Sequence, residues 1–247
     1  MWKLLPVLFG AASLFAQARP GLFFREDWKE IPAATPVTQE HVVSPDLILS
    51  LYGPARASIK KSHHDTPADD PYYIWSGECQ ANWAVSLRHK SALVDLTGLA
   101  KIRWRSKQSG FRQLRIILKL ADGTWLASDR SDGPSTDWRI REFNMGDLRW
   151  RKLDIGTVVE SEWVDKPDLS RVDEIGFTDL MRGGGTPASS RLDWIEVYGA
   201  ARPRVEQHGT LIDSRTRLGS TLPVARSTPC MCNGDDLYLV SSLSVHN

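Results

Sequence analysis

The chain has 247 residues, 31 Lys and Arg against 30 Asp and Glu, 41% hydrophobic residues and 25% charged residues. That composition excludes collagen-like and wholly disordered chains, and the near-neutral balance gives no general pull toward nucleic acid or an anionic membrane. The unusual figure is ten Trp, against seven Phe and five Tyr. A buried indole needs a partner for its N–H, and an exposed one is favoured at binding surfaces.

In chain order, the first element is an address. Lys3 precedes an apolar run from Leu4 to Phe15, and Ala16-Gln17-Ala18 follows. A short basic region, an apolar region and an A-x-A site form a secretory signal peptide, residues 1–18. The run is too short to span a bilayer, and no later stretch approaches about 18 apolar residues. The expectation is a secreted or periplasmic protein with no transmembrane span. Cleavage after Ala18 removes Lys3, so the 31 basic residues become 30 and equal the acids. The cysteines are Cys79, Cys230 and Cys232. An odd count with two of them one residue apart is no disulfide framework, so the core must be held by burial.

Residues 21–202 read as one all-β domain. Short runs rich in β-branched and aromatic residues are punctuated by Gly, Pro, Asp and Ser. The expected strands are Leu47–Tyr52, Ala57–Lys61, Tyr72–Trp75, Trp83–His89, Ile102–Ser106, Leu114–Leu120, Thr124–Ser128, Arg139–Asn144, Asp173–Thr178 and Leu192–Tyr198. Ile102 and Trp104 alternate with Lys101, Arg103, Arg105 and Lys107, which puts one strand face in the core and the other in water. Ala121-Asp122-Gly123-Thr124 is a tight hairpin signal. Asp95 to Trp104 and Asp168 to Phe177 share the pattern D-L-[ST]-x-[LV]-x-x-I-x-[WF]. In each, an Asp-anchored turn leads into a strand whose inward residues are Ile and an aromatic. Residues 203–247 lack Trp and are rich in Ser, Thr and Arg, and they are expected to form a poorly structured tail with one strand-like stretch, Leu237–Leu243.

The segments beginning Asp95-Leu96-Thr97 and Asp168-Leu169-Ser170, with Trp138-Arg139-Ile140-Arg141-Glu142-Phe143 and the closing Leu192-Asp193-Trp194-Ile195, resemble the galactose-binding-like superfamily. Carbohydrate-binding modules and the complex-I intermediate-associated type of domain belong to it. The resemblance runs from about Phe24 to Gly199 and implies a jelly-roll β-sandwich. It also implies a structural calcium near the chain ends, for which Asp27 and Asp193 are the residues to inspect. Calcium wants six to eight oxygen ligands, so these two carboxylates alone are no site; the cofactor reading is none, or that calcium.

The residues bear on four chemistries. Flat aromatics complement the C–H faces of sugar rings, and planar polar groups read the hydroxyls. Trp75, Trp125 and Trp138, near turns or strand ends, stand open between ligand and core, whereas Trp83, Trp104 and Trp194 read as core. Arg103 and Arg105 on one strand face, with Arg112 near the next connection, would suit a uronate or sulfated glycan; a solvated face balanced by Asp and Glu is the plainer reading. His63-His64-Asp65 with Asp69 and Asp70 could ligate a transition metal, although adjacent strand histidines point to opposite faces. No G-x-S-x-G or H-E-x-x-H motif occurs, and Arg182-Gly183-Gly184-Gly185-Thr186 is no phosphate loop. Tyr72, Tyr73 or His64 with an Arg could serve a lyase.

The leading expectation is therefore a non-catalytic protein that binds carbohydrate, a cell-surface glycan or an acidic polysaccharide, with no nucleic-acid partner. The alternatives are a polysaccharide lyase or glycoside hydrolase on the same scaffold, and a structural or partner-binding export without a sugar site.

Overall fold

The computed structural model describes residues 18–181 and 187–204. Most of the signal-peptide segment, the Arg182–Thr186 loop, Cys230, Cys232, Leu237–Leu243 and nearly all of the expected tail lie outside the described residues. Among those described are fifteen strands and three single-turn 3₁₀ segments. The strands are β1 (Leu22–Glu26), β2 (Leu47–Tyr52), β3 (Lys60–Ser62), β4 (Tyr73–Trp75), β5 (Ala84–His89), β6 (Ala92–Asp95), β7 (Lys101–Gln108) and β8 (Leu114–Leu120). There follow β9 (Trp125–Asp132), β10 (Arg139–Asn144), β11 (Trp150–Asp154), β12 (Val159–Val164), β13 (Val172–Asp179), β14 (Ser190–Tyr198) and β15 (Ala200–Pro203). No helix among them is long and apolar enough to cross a membrane.

The strands form the expected all-β jelly-roll β-sandwich. One sheet has six strands in the order β10-β7-β14-β4-β3, with β1 also paired to β14. The other has nine, β12-β11-β9-β8-β13-β5-β2, with β6 joined to β13 and β15 to β6. All named strand pairs are antiparallel. Between the sheets the period-two residues interdigitate: Ile102, Trp104, Ile195 and Val197 of the first face Leu87, Ile116, Ile175 and Phe177 of the second. The indole of Trp104 is fully buried, and its Nε1 donates to Asp132 Oδ2 at 3.0 Å, which removes the penalty of burying that N–H.

The two Asp-anchored turns form as their residues dictate. Asp95 Oδ1 accepts from Thr97 N at 2.9 Å, and Asp168 Oδ1 accepts from Ser170 N at 3.0 Å. They lie side by side, Leu96 N donating to Leu169 O at 2.8 Å, and each launches a strand of a different sheet. At the hairpin, Gly123 takes φ 91°, open to glycine without strain, and Asp122 Oδ1 accepts from Thr124 N. At the centre of the nine-stranded sheet a Cβ on Gly176 would sit 2.0 Å from the Val85 carbonyl oxygen, so only glycine fits.

The basic residues Arg115 and Lys119 of β8 do not adjoin the charged face of Lys101–Lys107. The chain crosses between the sheets after β7, so β7 is flanked by β10 and β14, while β8 lies in the other sheet.

Candidate functional site

The outer face of the six-stranded sheet gathers most of the aromatic and basic candidates. On β7 the inward residues Ile102, Trp104, Ser106 and Gln108 are buried, and Lys101, Arg103, Arg105 and Lys107 point out. Register then sets their neighbours: Arg103 lies between Glu142 of β10 and Glu196 of β14, and Lys107 beside Arg191, which in turn pairs with Trp75 of β4. Ile74 is in the core, so Tyr73 and Trp75 face outward.

A bulge at Asp193 changes the parity of β14. Leu192 and Ile195 both enter the core, and Trp194 is turned to the outer face. Trp194 was expected in the core; it is instead buried beneath cations, with the Arg25 guanidinium 4.5 Å and that of Arg103 5.9 Å from the ring centroid. Arg105 lies 5.4 Å from the half-exposed Trp138 ring, whose edge meets Tyr73 at a centroid distance of 5.2 Å. Lys101 lies 5.1 Å from the Tyr198 ring. Flat rings beside guanidinium groups therefore recur across this face, a favourable cation–π arrangement.

Most of these cations are neutralised. Lys101 pairs with Glu142 at 2.8 Å, Arg105 with Asp193 at 2.6 Å, Arg103 with Glu196 at 3.4 Å and Glu142 at 3.5 Å, and Arg25 with Asp27 and Glu196. Burial pushes the Asp193 carboxyl above its ordinary value, and Arg105 opposes that shift. Lys107 and Arg191 have no acidic partner within ion-pair distance among the described residues. They leave positive charge next to Trp75.

Of the sequence candidates, Trp75, Trp138, Arg103 and Arg105 come together on this face. Trp125 and Arg112 do not. Trp125 lies on the outer face of the other sheet, where it is 7% exposed and meets the Tyr52 ring edge-on at 5.1 Å. The two rings belong to a small second cluster with Ala84, Ile117, Ala127, Leu153 and Val158. Below them Glu174 accepts from Tyr52 Oη at 3.0 Å, Ser86 Oγ at 2.5 Å and Lys119 Nζ at 2.9 Å. Arg112 is 2% exposed and bonds Met181 O, Ala188 O and Asp179. It is a buried clamp between two chain segments, because its fork finds carbonyls and a carboxylate inside the fold.

Asp27 and Asp193 both line one cavity of about 640 Å³, together with His63, Asp69, Asp70 and Tyr72. Each of the two is bonded to an arginine, and no group of three or more His, Cys, Asp or Glu suited to a metal ion occurs among the described residues. The adjacent histidines separate: the His63 ring stacks on Tyr72 at 4.0 Å, while His64 Nδ1 lies 3.0 Å from Asp70 Oδ2 and 3.1 Å from Tyr73 Oη. Of the remaining tryptophans among the described residues, Trp28 and Trp150 are core, and Trp163 is 43% exposed. Nothing local in the sequence marks Arg191 and Tyr198 as members of this face, and Arg25 carries only a weak signal. For Arg25, the run Leu22-Phe23-Phe24 before it was the available strand signal.

No family model matches the chain, and no curated protein matches it. Solved structures similar to it include a family 11 carbohydrate-binding module from Clostridium thermocellum in complex with a β-1,3-1,4-mixed-linked tetrasaccharide. The two are 16% identical, the match covers 70% of this chain and 98% of that one, and the TM-score is 0.42. The family 11 module of the cellulosomal cellulase Lic26A-Cel5E of Clostridium thermocellum gives 15% identity, coverage of 70% and 97%, and a TM-score of 0.41. The glycoside hydrolase domain of Endo-D from Streptococcus pneumoniae R6 gives 13% identity over 66% of this chain and 25% of that one, with a TM-score of 0.36.

Proposed function

We propose that this chain is an exported, non-catalytic carbohydrate-binding protein whose ligand lies on the outer face of the six-stranded sheet. The observation that carries this reading is the placement of two half-exposed indoles, Trp75 and Trp138, on one face with ion-paired arginines beside them. Indole faces would stack on sugar C–H faces, and guanidinium–carboxylate pairs such as Arg105–Asp193 offer fixed donors and acceptors to hydroxyls. Lys107 and Arg191, without acidic partners among the described residues, suit a carboxylate or sulfate on that sugar. An acidic polysaccharide is therefore the favoured ligand, and a glycan at a cell surface its natural source. The test is affinity electrophoresis and calorimetry against neutral, uronate-bearing and sulfated polysaccharides. Trp138→Ala and Trp75→Ala should each weaken binding about tenfold or more, the order of one stacked ring. Arg191→Ala with Lys107→Ala should lower affinity for the acidic polymer alone. Wild-type protein that binds no member of the panel refutes the proposal.

One contact favours a second reading, a polysaccharide lyase. Asp70 and Tyr73 both approach His64 Nδ1, and the His64 side chain is 63% exposed. Nδ1 held by a carboxylate leaves Nε2 as a general base. Unsaturated product released from uronate polymers, and lost in His64→Ala, would establish this reading; no product across the panel rejects it.

A further inference from the structure

A second site lies away from the sheet face, beside the edge strand β12. A cavity of about 390 Å³ has an apolar floor of Met145, Leu148 and Trp150, all buried. That volume falls within the range of small-molecule pockets. Its rim carries Arg149, Trp163 and Lys166, with Asp165 as the rim's acid. The Arg149 guanidinium lies 4.3 Å from the Trp163 ring centroid, and that of Arg151 lies 4.1 Å from it. Arg151 also lies 3.8 Å from Glu160. Arg149 and Lys166 have no ion-pair partner among the described residues.

Two features prepare this rim for an anion. Arg149 is held against an indole that is itself 43% exposed, so less side-chain freedom is lost when its N–H fork takes a carboxylate. Lys166 sits at φ 45°, a left-handed conformation that a residue with a Cβ adopts at a cost, and it precedes Pro167 in the turn after β12. Such strain is concentrated at ligand clamps and switch regions. The apolar floor excludes an ion alone, and the cations disfavour a neutral apolar guest.

We propose that this cavity binds a small amphipathic carboxylate, its apolar body on Met145, Leu148 and Trp150 and its carboxylate on Arg149 and Lys166. The site is separate from the proposed sugar face and does not depend on it. Calorimetric titration of the full chain with naphthoate, naphthol and acetate tests the proposal. Naphthoate should bind saturably at one site, naphthol about tenfold or more weakly, and acetate not measurably, since a charge-assisted hydrogen bond and apolar burial each contribute that order. Arg149→Gln with Lys166→Gln should bring naphthoate to the affinity of naphthol, and Trp163→Ala should weaken it. Trp138→Ala should leave it unchanged. The Arg149, Trp163 and Lys166 side chains are exposed, and thermal unfolding of each variant verifies folding. Equal affinity for naphthoate and naphthol, full naphthoate affinity in the double variant, loss of binding in Trp138→Ala, or no saturable binding would each overturn the proposal.

Discussion

The Arg25 guanidinium covers the Trp194 ring at 4.5 Å while its N–H groups reach Asp27 and Glu196. A residue near the start of the described chain thereby closes over an indole near its end, and β1 is pinned to β14 through side chains as well as backbone. Arg25→Ala should cost about 0.5–1 kcal/mol, since the pair is partly exposed. It should also raise quenching of tryptophan fluorescence by iodide. Unchanged quenching would mean that Trp194 is shielded by something other than Arg25.

Trp125 separates packing from ligand contact. Its ring meets Tyr52 over the second apolar cluster, on the sheet opposite the proposed sugar face. Trp125→Ala should destabilise the fold by about 3–5 kcal/mol in urea unfolding. Among molecules still folded, polysaccharide affinity should equal that of wild type. A selective loss of affinity would move the ligand to the nine-stranded sheet.

Arg112 and Asp179 form a buried pair, with Ser190 Oγ and Met181 N also donating to the carboxylate. Burial pushes the Asp179 carboxyl up, and Arg112 acts against that shift. Arg112→Ala strands this carboxylate and removes the guanidinium from the Met181 carbonyl. The expected loss is about 3–5 kcal/mol. Chemical denaturation measures it, and a loss under about 1 kcal/mol would contradict the clamp role.

Lys61 gives the fold a dependence on alkaline pH. Its ammonium donates to the Ile31 carbonyl and lies 3.9 Å from the Tyr72 ring, and burial lowers its pKa from 10.5 to about 8. Between these values the unfolded chain binds a proton that the folded chain has released, so stability rises with pH across that window. Below about 8 both states are protonated and the contribution is flat. Lys61→Met should remove the rise in the urea midpoint; an identical pH profile in the variant would exclude Lys61 as its source.

Nine of the ten expected strands are present, β2, β8 and β10 to the residue, while Ala57–Lys61 opens in the 3₁₀ turn Arg56–Ser58 and only its Lys60 and Lys61 enter β3. Those missed have local reasons. β6 and β15 are four residues each, β11 is five, and β12 is an edge strand whose exposed Val-Glu-Ser-Glu-Trp sequence shows little apolar alternation. In the candidate face, Arg103 and Arg105 were legible because alternation along β7 separates charged from apolar residues within one strand.

What the sequence alone determined was therefore local: the strand periods, the Asp122-Gly123 turn, the paired Asp-anchored turns and the outward basic residues of β7. Each depends on a few neighbouring residues whose geometry repeats every two positions. Tertiary structure decided which strands share a sheet, and so separated Lys119 from Arg105 and Trp125 from Trp138. It decided that Arg112 would be consumed by a buried carboxylate. It also decided the side on which Trp194 stands, because one extra residue at Asp193 reverses the parity that local alternation would assign. Pairing and register are set by contacts between distant segments, and an isolated strand carries no record of its neighbours.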